Sequence, residues 1–120
     1  VSDIKAFTLE LDKFGTSIPV EAIKAHQRIH DAVRSRVIAR SPVDTGRYRA
    51  SHQSSEGEPS TAIGPGTQLR ITQAYGRSYL ANNLPYAVPL ENGHSKQAPA
   101  GVYAISIEEV RTILESGRLP

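Results

Sequence analysis

The chain contains no cysteine, methionine or tryptophan, and only 6% of its 120 residues are aromatic. Without cysteine there is no disulfide framework and no thiolate metal site, a composition suited to assembly in a reducing cytoplasm. With 38% hydrophobic residues and so few rings the core is lean, and stability shared with neighbouring subunits is the expectation. No apolar run approaches the roughly 18 residues of a membrane span, so no membrane partner is expected. The first residues show neither the basic nor the apolar region of a signal peptide. A formal net charge of +2 is too small to mark a nucleic-acid binder. Internal repeats are absent as well, and the length fits one domain over residues 1–120.

What the chain does have is periodicity, interrupted by turn formers. Phe7, Leu9 and Leu11 alternate with Thr8, Glu10 and Asp12, which reads as a half-buried strand within Ala6 to Phe14, with the start of a helix as the competing reading. Gly15-Thr16-Ser17 is a turn, and Pro19 suits the first turn of a helix, where its missing N–H is no loss. From Pro19 to about Arg40, Ala22, Ala25, Ile29, Ala32, Val33 and Val37 form one apolar helical stripe, and Ser41-Pro42 stops it.

Beyond the helix the spacing predicts strands at Arg47–Ser54, Thr61–Gly64, Leu69–Ile71 and Arg77–Ala81, with a bulge or turn at Tyr75-Gly76. The stretch from Ser54 to Ser60 and Gly64-Pro65-Gly66 read as loops, mobile in the free protein for want of apolar anchors. Val102 to Ile107 alternate and predict a last strand. Ser106 to Glu109 then look like a capping box for a short final helix whose apolar side is Val110, Ile113 and Leu114, with Gly117 past its end. The fold class expected is α+β: one long helix on a small, mostly antiparallel sheet, a long Pro/Gly-rich loop and a short C-terminal helix.

Candidate chemistry is thin. His26 and His30 share a helix face and could together hold zinc. The zinc-protease motif requires Glu directly after the first histidine, however, and here that residue is Gln27. A third ligand would have to come from His52, His94 or a distant carboxylate. A solvated face or a packed partner contact explains the pair more simply, so no metal or cofactor is expected. Ser95 beside His94, with Asp44 and Glu91 as available acids, lacks the strained G-x-S-x-G elbow of a hydrolase. No catalytic residue is assigned, and the chain is read as a non-enzyme.

Two segments carry more. In Pro42-Val43-Asp44-Thr45-Gly46-Arg47-Tyr48-Arg49, Asp44 can bond its own backbone and Gly46 supplies a positive φ. On a following strand Arg47 and Arg49 would share one face, either solvated or meeting carboxylates of an adjacent subunit. In Leu84 to Gly101, Pro85, Pro89 and Pro99 lower the entropy cost of an ordered loop, and Tyr86, Val88 and Leu90 alternate. Such a loop either covers its own helix or docks on a neighbour. Glu91 and Lys96 are the exposed charges to test first for pairing across subunits, where Glu91→Lys would impair assembly of a folded subunit. Lys24, Arg28, Arg34, Arg36, Arg40, Arg47 and Arg49, against Asp31 and Asp44, form a basic stretch for channel DNA or an acidic ring surface.

In order and spacing these residues resemble the two signature regions of the HK97 gp10-like family of tailed-phage proteins. The matching positions are Pro42-Val43-Asp44-Thr45-Gly46-Arg47, then Asn83-Leu84-Pro85-Tyr86-Ala87, Leu90-Glu91, Gly93, Ser95, Gln97-Ala98-Pro99 and Gly101, with Ala6 to Phe14 similar to the family's opening. Tyr48 and Val102-Tyr103 depart from the common pattern, so the turn and the last strand are expected to pack differently here. The resemblance implies a structural virion protein of the head–tail junction, a neck or tail-completion subunit assembled in the bacterial cytoplasm. It implies a homo-oligomeric ring, a hexamer in preference to a dodecamer, around the DNA channel. Its partners would be connector or head-completion proteins on one side and tail-tube or tail-terminator proteins on the other. Asp44, Arg47, Arg49, Tyr86, Leu90, Glu91 and Lys96 are the interface candidates. A tail-terminator-like or minor tail protein is the alternative within the class, and a small basic nucleic-acid-binding domain the alternative outside it.

Overall fold

A computed structural model describes residues 6–10, 19–43, 46–73, 75–93 and 101–120. The long helix, α1, spans Pro19–Arg40 and follows the predicted boundaries. Its buried face is the expected stripe of Ala22, Ala25, Ile29, Val33 and Val37, with Ala32 packed at its margin. His26 and His30 lie on the same face and are buried too, which corrects the reading of a solvated pair. At the C-terminal end Ser41 donates from Oγ to the Val37 carbonyl (2.7 Å), and Pro42 follows.

A three-stranded antiparallel sheet packs behind the helix, in the order β1-β3-β2. Strand β1 is Ala6–Glu10, β2 is Gln53–Glu56 and β3 is Arg77–Ala81. The register sets Phe7 opposite Leu80 and Leu80 opposite Ser54, so β3 is paired along both edges. That central strand is buried from Ser78 to Ala81, and only Arg77 is exposed. Ser78, Leu80 and Asn82, two residues apart, are the positions that reach helical partners or the core. The strand reading therefore stands for Ala6–Glu10 and Arg77–Ala81, while Leu11 to Phe14 and the predicted turn at Gly15-Thr16-Ser17 lie outside the described residues.

The other predicted strands do not form. Gly46 adopts φ 73°, and the chain enters a short helix, α2, at Arg47–Ala50. Strand β2 begins only at Gln53, so the predicted Arg47–Ser54 strand holds for its last two residues alone. Burial of Tyr48 favours the turn, and Ser51 closes it by donating from Oγ to the Arg47 carbonyl (2.5 Å). Tertiary anchoring outweighs the local alternation.

The connection from Gly57 to Gly76 contains neither helix nor strand among its described residues, so Thr61–Gly64 and Leu69–Ile71 are not strands. Its anchors are polar rather than apolar. Asn83 Nδ2 donates to the carbonyls of Ser60 and Ala62, both at 2.9 Å, and Gln53 Nε2 to that of Gly64 at 2.6 Å. The Gln27 side chain receives the Ile71 amide (2.7 Å) and donates to the Leu69 carbonyl (2.8 Å), as a strand neighbour would. Glu56 accepts from the Thr72 and Gln73 amides and the Thr72 hydroxyl. Burial raises its pKa, but these bonds outweigh it and hold the carboxyl below its ordinary value. At Gly66 an added Cβ would lie 1.7 Å from the His52 carbonyl oxygen, so the loop passes where only glycine fits.

After a short helix, α3, at Ala87–Glu91, the chain reaches the last helix, α4, at Tyr103–Glu115. It replaces the strand predicted over Val102–Ile107. Ser106 forms no capping box: it is buried inside α4 and donates to the Val102 carbonyl (2.6 Å). Gly117 does stand just past the end, with φ 85° and its amide on the Leu114 carbonyl. Val102, Tyr103 and Val110 join Ile29, Val33 and Val37 in one core. Arg40 grips Glu109 through both terminal guanidinium nitrogens at 2.7 and 2.5 Å, and Arg36 approaches it at 3.4 Å. The Arg40 bond holds the Glu109 carboxyl below its ordinary pKa. With these side chains roughly a third exposed, solvent screens the network. Glu109→Gln should cost about 1 kcal/mol in urea unfolding, less at high salt.

Candidate functional site

The structure brings the two motif segments together. Tyr48, from the first, inserts into the core beside Tyr86, from the second, with ring centroids 6.3 Å apart. Asn82 completes the joint by donating to the Tyr48 carbonyl (2.9 Å) while accepting the Leu84 amide. Tyr48 meets His52 edge-on at 4.9 Å, and His52 packs against Tyr103 at 5.4 Å. The positions that depart from the common family pattern, Tyr48 and Val102-Tyr103, thus belong to one buried cluster.

Hydrogen bonding sets the protonation of this cluster. The Ser41 hydroxyl proton goes to the Val37 carbonyl, so Ser41 Oγ accepts from His52 Nε2 at 2.7 Å. His52 Nδ1 is then the acceptor for the Tyr103 hydroxyl, also at 2.7 Å. Both nitrogens of this buried, neutral ring are occupied. Burial, reinforced by the Arg34 charge, lowers its pKa to about 3. Burial also raises the Tyr48 and Tyr103 hydroxyls, with Glu91 adding to each.

The same logic resolves His26 and His30. His26 Nδ1 donates to the Gln73 carbonyl (3.3 Å), so its Nε2 accepts from Ser78 Oγ (2.8 Å). Ser78 Oγ then accepts from His30 Nδ1 and Ser54 Oγ donates to His30 Nε2, both at 3.0 Å. Helix and strands are therefore joined by a closed polar chain in which no imidazole lone pair is left to bind a metal. Burial lowers the His26 pKa, and lowers that of His30 to about 4. Among the described residues no group of three or more His, Asp or Glu side chains could hold a metal ion.

The interface candidates divide. Arg47 is exposed on α2, while Arg49 is half-buried and lines a different hollow, with Arg34. Two residues apart on a helix they diverge, so the expected common face does not exist. Tyr86 is exposed at 37%, beside Pro85, and Val43 at 52% lies just before the turn. Leu90 packs against the core from its edge. Asp44 and Lys96 lie outside the described residues, as do His94 and Ser95.

Glu91 is the largest correction. It is not an exposed charge: its carboxylate accepts the Val102, Tyr103 and Ala104 amides at 2.9, 2.8 and 2.9 Å. A residue of the second motif segment thereby caps α4, its negative charge meeting the positive end of the helix. Gly101, at φ 81°, lies so close that a Cβ there would stand 2.4 Å from the Glu91 carbonyl oxygen. Sequence reasoning missed this cap because its partners are 11 to 13 residues away.

Among the described residues no helix is long and apolar enough to cross a membrane. Compared with family models, curated proteins and solved structures, the chain finds no match.

Proposed function

We propose that this chain is a structural protein of a tailed phage, a ring subunit at the head–tail junction that acts by binding alone. The observation that supports the reading is the joint between the two motif segments: Tyr48 and Asn82, which flank the matching positions rather than belong to them, bring the first segment against Tyr86 of the second. Val43, Arg47, Pro85 and Tyr86 lie exposed beside that joint and make it the candidate docking face for a ring neighbour or for connector and tail proteins. A ring of identical subunits needs a heterologous interface that closes on rotation, and a mixed apolar and cationic edge suits one. The buried histidines have structural partners at every ring nitrogen, which supports a binding role over a catalytic one.

The basic stretch gives the nucleic-acid reading little support. Lys24 faces Glu21, Arg28 donates to the Pro120 carbonyl, and Arg36 and Arg40 serve Glu109. Native mass spectrometry over a range of protein concentrations tests the proposal. A discrete hexamer or dodecamer that Tyr86→Ser dissociates is the expected result. A monomer at every concentration that neither assembles with connector and tail proteins nor changes with Tyr86→Ser would overturn it.

A further inference from the structure

Once those cations are assigned, Arg34 and Arg49 stand apart. Both line one hollow of about 350 Å³, whose wall adds Asp31, Ser35, Ile38 and Gln68. Arg34 Nε is buried with no hydrogen-bond partner, and neither guanidinium has an ion-pair partner among the described residues. Asp31 is not the missing counter-ion, because its Oδ1 accepts from Gln27 Nε2 at 3.0 Å and it forms no salt bridge with Arg34.

A buried donor without an acceptor destabilises the free protein, and an oxyanion that opened the packing over Arg34 Nε on binding would recover that cost. Guanidinium groups match the planar edge of a carboxylate or the oxygens of a phosphate, through paired N–H donors. We propose that Arg34 and Arg49 form a receptor for one compact oxyanion, a carboxylate or a phosphate group. Gln68 lines the same hollow and is placed to add an amide donor. The charge around this open hollow favours a single anionic group over an extended polyanion: the Asp31 carboxylate on the wall repels a continuous run of phosphates, and Lys24, Arg36 and Arg40 along α1 are already paired. The macromolecular source that fits is an acidic side chain of a protein partner, with nucleic acid as the competing outcome.

The test follows the Nε–Hε resonances of the full chain, ¹⁵N-labelled, titrated separately with inorganic phosphate, acetate and a short DNA duplex at constant ionic strength. Arg34 and Arg49 should shift together and saturate with phosphate or acetate, and the stronger of the two anions identifies the source. Arg34→Gln and Arg49→Gln should each weaken that binding at least tenfold. Arg34→Met, which removes the unpaired donor, should melt no lower than the unsubstituted protein, whereas a structural arginine would lower the melt. Shifts that never saturate, or that persist in both glutamine variants, would overturn the proposal. So would tighter binding of the duplex than of either small anion.

Discussion

Glu91→Lys will lower the melting temperature by about 15 °C, while Glu91→Gln will lower it by about 5 °C. The carboxylate of Glu91 accepts three first-turn amides of α4, and the N-cap residue Val102 has no capping side chain of its own. Hydrogen bonds to a charged group contribute roughly 1.5–3 kcal/mol each before the cost of ordering the side chain. Lysine loses all three and adds a positive charge to the positive end of the helix, for a net loss of about 4 kcal/mol. Glutamine keeps one acceptor oxygen and the side-chain length but loses the charge, at a cost of about 1–2 kcal/mol.

Loss of the cap reaches further than one helix. Val102 and Tyr103 follow it directly and are buried against α1, and Tyr103 holds His52 in its tautomer. Circular dichroism melts of the three proteins decide the matter. Equal melting temperatures, with assembly alone impaired in Glu91→Lys, would return Glu91 to the surface role that its charge first suggested.

What the sequence made legible, and what it hid, divides by the range of the interaction responsible. Helix α1 was readable to its ends because Pro19, the three-and-four spacing from Ala22 to Val37 and Ser41-Pro42 are all local signals. The α+β class followed from that helix together with Ala6–Glu10 and Arg77–Ala81. Helix α4 was hidden because Val102 to Ile107 alternate like a strand, while the group that starts the helix sits on α3. The helical spacing was nonetheless present in Tyr103, Ser106 and Val110, the buried face of α4.

The same contrast explains the site. His26 and His30 looked solvated because histidine is polar, yet their positions continue the apolar stripe. Only the distant Ser78 and Ser54 show why imidazoles can be buried there. The loop beyond β2 looked untethered because hydrophobicity was the only anchor sought. Gln27, Gln53, Glu56 and Asn83 tie it down through backbone groups that no composition reveals. The joint of Tyr48 with Tyr86 was foreshadowed only by the pairing of motifs, since neither segment alone specifies its partner.

These buried imidazoles make stability fall steeply in mild acid, and the sign follows from which state takes up protons first. His30 and His52, with folded values of about 4 and about 3, stay neutral in the folded chain while the unfolded chain protonates near the ordinary 6.5. Their contribution is complete above pH 6.5 and is lost as pH falls through 6.5 toward 4 for His30 and toward 3 for His52. At up to about 1.4 kcal/mol per pH interval for each ring, the loss between pH 6.5 and pH 5 is about 3 kcal/mol. That is most of the stability of a domain at the low end of the usual 5–15 kcal/mol range. His26 shifts in the same direction and steepens the slope. Asp31 and Glu56 oppose the shift at His30 while His26 and Arg34 add to it, so salt, which screens both sets, should move the midpoint little. Urea unfolding at pH 7, 6 and 5 should show stability falling with the uptake of at least two protons per molecule near pH 5. His52→Gln should remove one of those protons, even though the variant is less stable at pH 7. A stability that stays flat from pH 7 to pH 5 would mean that at least one imidazole is solvated or charged in the folded chain, and the hydrogen-bonded histidine network would then be wrong.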